Sequence, residues 1–101
     1  MTSPLSPAQC TSLADVRHEI DRLDRDIVRL LAERGRYVLA AAQFKRNEAE
    51  VRAPYRVEQV VANVLRLAAD EGAMPDVVER GYRALIAAYT DAERAHREPR
   101  P

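Results

Sequence analysis

The sequence predicts an all-α fold with three helices per chain, one long and two shorter. Three observations carry that reading. From Leu13 to about Asn47 there is no proline, and apolar residues recur at Leu13, Val16, Ile20, Leu23, Ile27 and Leu30 in alternating steps of three and four. Two later segments, after Pro54 and after Asp76, repeat helical spacing with their own start and stop signals. The composition, 47% hydrophobic and 32% charged with three Gly, is that of packed helices, and no segment carries a strand signal or an internal repeat.

The first helix opens at Ser12, which forms an Ser-x-x-Asp box with Asp15. The Pro/Ser-rich residues 1–11 before it read as a flexible segment. A helix of about 36 residues would be about 54 Å long, and Gly35 would cost roughly 1 kcal/mol against Ala without breaking it. Residues 48–53 form a polar connection, and Pro54 suits the first turn of the second helix. Val57, Val60, Val61, Val64 and Ala68 give that helix one apolar face, and Gly72 ends it as a left-handed cap. Asp76 with Glu79 marks the third start. Val78, Tyr82, Leu85, Ile86 and Tyr89 form its buried face, and it runs to about Arg97 before Pro99. One helical domain over residues 12–97 follows, with a tail at 98–101.

Length then implies association. A compact chain of about 100 residues has a radius of gyration of about 13 Å. Two shorter helices cannot cover an apolar stripe along a 54 Å rod. A second copy, long helix against long helix, can. The expected state is an obligate homodimer.

Sixteen basic and sixteen acidic residues cancel, which argues against a nucleic-acid binder. Cys10 is alone, so neither a disulfide framework nor a cysteine zinc site is expected, and His18 and His96 have no metal-ligand spacing. The opening residues lack a signal-peptide pattern, and no window reaches the roughly 18 apolar residues of a membrane span. A cytoplasmic chain without cofactor or metal is expected.

A few residues break the apolar pattern. Arg34 takes the next heptad position after Leu30, and Lys45 lies eleven residues on, about three turns of helix and about 16 Å away. Val38 and the small Ala41 lie between them on that face, so two cations would bracket an apolar floor that suits a small dianion. Arg17 sits 17 residues before Arg34, about 25 Å along the axis. It could join the cluster only from an antiparallel partner helix. On the third helix Tyr82, Ile86, Tyr89 and Glu93 share one stripe that ends in a carboxyl. Arg52 and Arg56 flank the connection, where they could close over a pocket. Each residue also has a plainer reading. Arg34 can snorkel to solvent, Arg17 can pair with Asp21, Lys45 can serve a helix C-terminus, Glu93 can be a solvated charge, and the tyrosines can be core.

In combination these residues resemble a family. Leu-x-x-x-Arg-x-x-Ile-Asp-x-x-Asp from Leu13 to Asp24, Leu-Leu-Ala-Glu-Arg ending at Arg34, and Gln-Phe-Lys ending at Lys45 are similar to the long helix of AroQ-type chorismate mutases. The resemblance runs from about Leu13 to Glu93. The connection Val51-Arg52-Ala53-Pro54-Tyr55-Arg56-Val57 and the Cys10 to Asp15 opening resemble the branch that holds the salicylate-forming isochorismate pyruvate lyases. The resemblance implies an intertwined dimer of three-helix chains with two sites. Each site would take Arg34, Lys45, Arg56 and Glu93 from one chain and Arg17 from the other, with Ala41 and Thr90 against the substrate. Glu93 departs from the Gln common at its position, Thr90 from an aliphatic residue in the lyase, and Val57 from an acidic residue in some mutases.

The implied substrate is a small dicarboxylate, chorismate or isochorismate. Rearrangement of chorismate needs no nucleophile, metal or redox group, only a held conformation and charge where charge develops. Arg17 and Arg34 would bind carboxylates, Arg56 would clamp the ring, and Lys45 would donate to the ether oxygen. Glu93 would donate beside it only while protonated. The mutase reading leads on Glu93 and Thr90. The lyase reading uses the same cations, and a non-catalytic helical adaptor is the alternative of another class.

Overall fold

The computed structural model describes residues 3–97, and among them every regular element is helical. The tail expected at 98–101 lies outside the described residues. A single 3-10 turn, Pro7–Gln9, precedes α1 (Leu13–Ala42), α2 (Glu48–Arg52), α3 (Pro54–Glu71) and α4 (Pro75–Arg97). The chain divides into two units, Met1–Arg36 and Tyr37–Pro101, so the boundary falls within α1.

In the first unit the start of α1 is built as its sequence predicts. The Asp15 N–H donates to Ser12 Oγ at 3.0 Å, while the Asp15 carboxylate accepts from the Thr11 N–H at 3.0 Å and the Thr11 hydroxyl at 3.1 Å. These bonds hold the Asp15 carboxyl below the usual carboxylate range, the Thr11 backbone bond contributing most. The heptad stripe is present and uncovered. Leu13, Ile20, Leu23, Ile27 and Leu30 are between 47% and 61% exposed.

The second unit holds the buried core. Ala42, Val51, Val61, Val64 and Ala68 are buried, drawn from α1, α2 and α3. The apolar face expected on α4 is half-buried rather than buried at Val78, Tyr82, Leu85, Ile86 and Tyr89. Arg83 locks α4 to α3, with Nη1 and Nη2 on the two Glu58 oxygens at 2.8 and 3.0 Å and Nε on Glu79 at 3.0 Å. Gly72, at φ 70°, closes α3 through a Schellman motif, the Ala73 N–H donating to Ala68 O at 2.8 Å.

Two boundaries differ from expectation. α1 ends at Ala42, after 30 residues or about 45 Å, rather than near Asn47. The reason is a competing start: Asn47 takes extended backbone (φ −156°) and its side chain caps the Glu50 N–H at 2.9 Å. The polar connection is therefore a short helix, α2. It ends at Ala53, a non-glycine residue at φ 34° that closes α2 and opens α3 at once. Its N–H donates to Ala49 O at 2.9 Å and its carbonyl accepts from Val57 at 3.1 Å.

Candidate active site

The site is clearest where Lys45 meets Glu93. Lys45 follows two residues of turn after α1, its N–H bonded to Ala42 O at 3.2 Å. It is therefore not on the helix face of Arg34, and the helical spacing between the two cations does not apply. From this turn Lys45 Nζ donates to Glu93 Oε2 on α4 at 2.7 Å. Among the described residues Glu93 is the one charged side chain that is buried, at 4% exposed. A carboxylate removed from water needs a partner, and the Lys45 ammonium supplies it. The plainer reading of Glu93 fails, because it is not a solvated charge. Lys45 lies just past the C-terminus of α1 and is also bonded to Glu93.

The remaining expected residues divide between the units. Ala41 lies half-buried in the last turn of α1, in the second unit with Lys45. Thr90, half-buried one turn before Glu93, lines a cavity of about 380 Å³ with Arg52, Val57, Arg83, Ile86 and Arg94. Arg56 is exposed in the first turn of α3, its Nη1 donating to Gln59 Oε1 at 2.7 Å. Tyr82 and Tyr89 are half-buried on the α4 stripe. Arg17 and Arg34 belong to the first unit, Arg17 exposed and Arg34 half-buried. Among the described residues no ion pair joins Arg17 to Asp21.

One group was missed. Glu48 in the first turn of α2 pairs with both Arg52 and Arg94, at 3.2 and 2.8 Å. It stands three residues beyond Lys45 as Arg94 stands beside Glu93, so two ion pairs tie the segment after α1 to the end of α4. The Asn47-x-x-Glu50 box was the signal in the sequence that could have found α2, and with it this second tie.

A buried carboxyl and an ammonium in contact can present two adjacent donors to one ligand oxygen when the carboxyl carries its proton. They can also neutralise each other in the absence of a ligand. Comparison with known proteins places the chain in a family. Residues 16–94 match the model of the family "Chorismate mutase type II". The chain is also 42% identical over 84 residues to the isochorismate pyruvate lyase of Pseudomonas aeruginosa PAO1, a match that covers 83% of each chain. On both counts the chain belongs to the type II, or AroQ, chorismate mutase family.

Proposed function

We propose that the chain is a chorismate mutase, converting chorismate to prephenate by holding its chair-like conformer and stabilising charge at the breaking C–O bond. The observation that carries the reading is the buried Glu93 in contact with Lys45. The ether oxygen gains negative charge as its bond to the ring breaks. The Lys45 ammonium donates to it throughout, and Glu93 donates from beside it in its protonated form. Arg34 and a partner copy's Arg17 hold the two carboxylates with guanidinium forks, and Arg56 approaches the ring side from the start of α3. Thr90 and Ala41 shape the floor.

The site is shared between two copies. The α1 stripe, 40–61% exposed along its length, is a contiguous apolar row of the kind that marks an interface, and a second α1 is its natural cover.

A second reading has its own support. The 42% identical relative is an isochorismate pyruvate lyase. On isochorismate the same cations would assist the same C–O cleavage while a hydrogen moves to the departing pyruvate, leaving salicylate.

The deciding experiment gives the pure protein chorismate and, separately, isochorismate, and quantifies prephenate, salicylate and pyruvate. Prephenate formed with the higher kcat/KM supports the mutase. Efficient salicylate and pyruvate release with weak prephenate formation replaces it with the lyase. A folded dimer that is silent on both substrates removes the catalytic reading and leaves an adaptor.

A further inference from the structure

No helix holds the lysine of the Lys45–Glu93 pair. Lys45 stands in the turn between α1 and α2, and the next residue, Arg46, is a second long cation. Either side chain is long enough to serve a carboxylate on α4, so the register of this segment decides which one Glu93 meets. Arg46 is turned outward, its side chain 87% exposed and its Nε on Glu50 Oε1 at 3.2 Å. Lys45 takes the buried carboxylate. The Asn47 cap shapes the segment from within, through the Glu50 N–H. Glu48 reaches across to α4 instead, its Oε1 at 2.8 Å from Nη2 of Arg94, the residue after Glu93. Arg52 Nη2, at 3.2 Å from the same oxygen, steadies Glu48 from within α2. Charge therefore alternates in opposite order on the two segments: positive then negative at Lys45 and Glu48, negative then positive at Glu93 and Arg94. A slip that offers Arg46 to Glu93 draws Glu48 away from Arg94.

We propose that Glu48 and Arg94 are positioning residues, whose ion pair sets the register that delivers Lys45 rather than Arg46 to Glu93. The kinetic consequence rests on the mutase reading; the contact itself does not. Arg46 at Glu93 leaves the ether oxygen without the compact ammonium that donates to it. The pair is half-exposed and adds little to overall stability. Its effect is on which of two similar arrangements the segment adopts.

Lys45 is the single lysine of the chain, so its ammonium gives one 15N signal that needs no assignment. That signal is compared at low temperature in the full-length, 15N-labelled protein and its variants, alongside thermal unfolding and kcat and KM on chorismate. Glu93→Gln supplies the signal of the lysine without its carboxylate. Arg94→Gln and Glu48→Gln should each move the Lys45 signal toward that reference while melting close to the native protein. In both, kcat should fall about fivefold, equivalent to about 1 kcal/mol, with KM changed by less than about twofold. A merely structural pair would lower the melting temperature and leave the Lys45 signal of the folded protein where it was. Removing the competing cation as well, in Arg94→Gln combined with Arg46→Gln, should restore the signal and most of kcat. A Lys45 signal unmoved in both single variants overturns the proposal, as does a double variant no better than Arg94→Gln. A native protein silent on chorismate overturns the mutase reading instead, and the Lys45 signal alone then decides the register.

Discussion

Glu93 and Lys45 illustrate how much one side chain's surroundings change its chemistry. In the sequence Glu93 stands beside Arg94 and three residues before His96, in company typical of a solvated helix end. In the fold it is 4% exposed and bonded to a lysine 48 residues away. Glu93→Gln keeps a hydrogen-bond donor beside the ether oxygen, and Glu93→Ala has none. We therefore expect Glu93→Gln to retain kcat/KM and Glu93→Ala to lose about 10-fold or more. Equal kcat/KM in the two variants would take Glu93 out of the reaction. Lys45→Ala removes the donor present in either protonation state, and kcat/KM should fall by about 100- to 1000-fold with the fold retained by circular dichroism. The type of these two residues, and their place on a candidate site, were legible in the sequence. Their contact was not, because it depends on α1 stopping at Ala42 and releasing Lys45 from the helix. Asp15 carries a different prediction. Its carboxyl is held low by Thr11, so its contribution to stability is present above the usual carboxylate range and is lost as pH falls through the lowered value. Asp15→Asn should make urea unfolding less dependent on pH in that acid window. An unchanged pH slope would mean that the Thr11 bonds do not survive in solution.

Among the elements, starts and stops with local chemical causes were readable, and competition between them was not. Ser12, Pro54 and Gly72 act where their chemistry predicts. Asn47 does too, but its cap ends the run expected to continue through it, and a periodic pattern alone does not say which of two helical signals prevails. The α2–α3 junction shows the same pressure in the backbone. Ala53 at φ 34° accepts a left-handed conformation that costs an L-residue about 1–2 kcal/mol, against about 0.5–1 kcal/mol of extra chain entropy for glycine. Ala53→Gly should therefore raise unfolding stability by about 0.5 kcal/mol in a urea titration, and a clear loss would show the junction to be unstrained. Gly72→Ala should do the reverse, costing about 1 kcal/mol at a φ of 70° where nothing crowds the missing Cβ.

For the whole molecule, the stripe of α1 was plain in the sequence although its end was not, and the exposed stripe is present in the structure. We propose a second copy as its cover. Shared sites make a specific prediction. Arg17→Ala and Lys45→Ala homodimers should each be nearly inactive. Mixed, unfolded and refolded together, they should recover about a quarter of wild-type activity, since half the dimers are mixed and each mixed dimer holds one intact site. Mixtures as inactive as their parents would place Arg17 outside the site.

The Schellman turn at Gly72 has a further consequence for how the protein reaches its native state. It joins α3 and α4 as neighbours in sequence, so their pairing needs only a short loop to close and is expected to be fast. The stripe on α1 has no such local partner. If a second copy supplies it, the order of folding is set: a rapid first-order phase, independent of concentration, forms the α3–α4 hairpin. A slower second-order phase then orders α1, its rate doubling with each doubling of chain concentration.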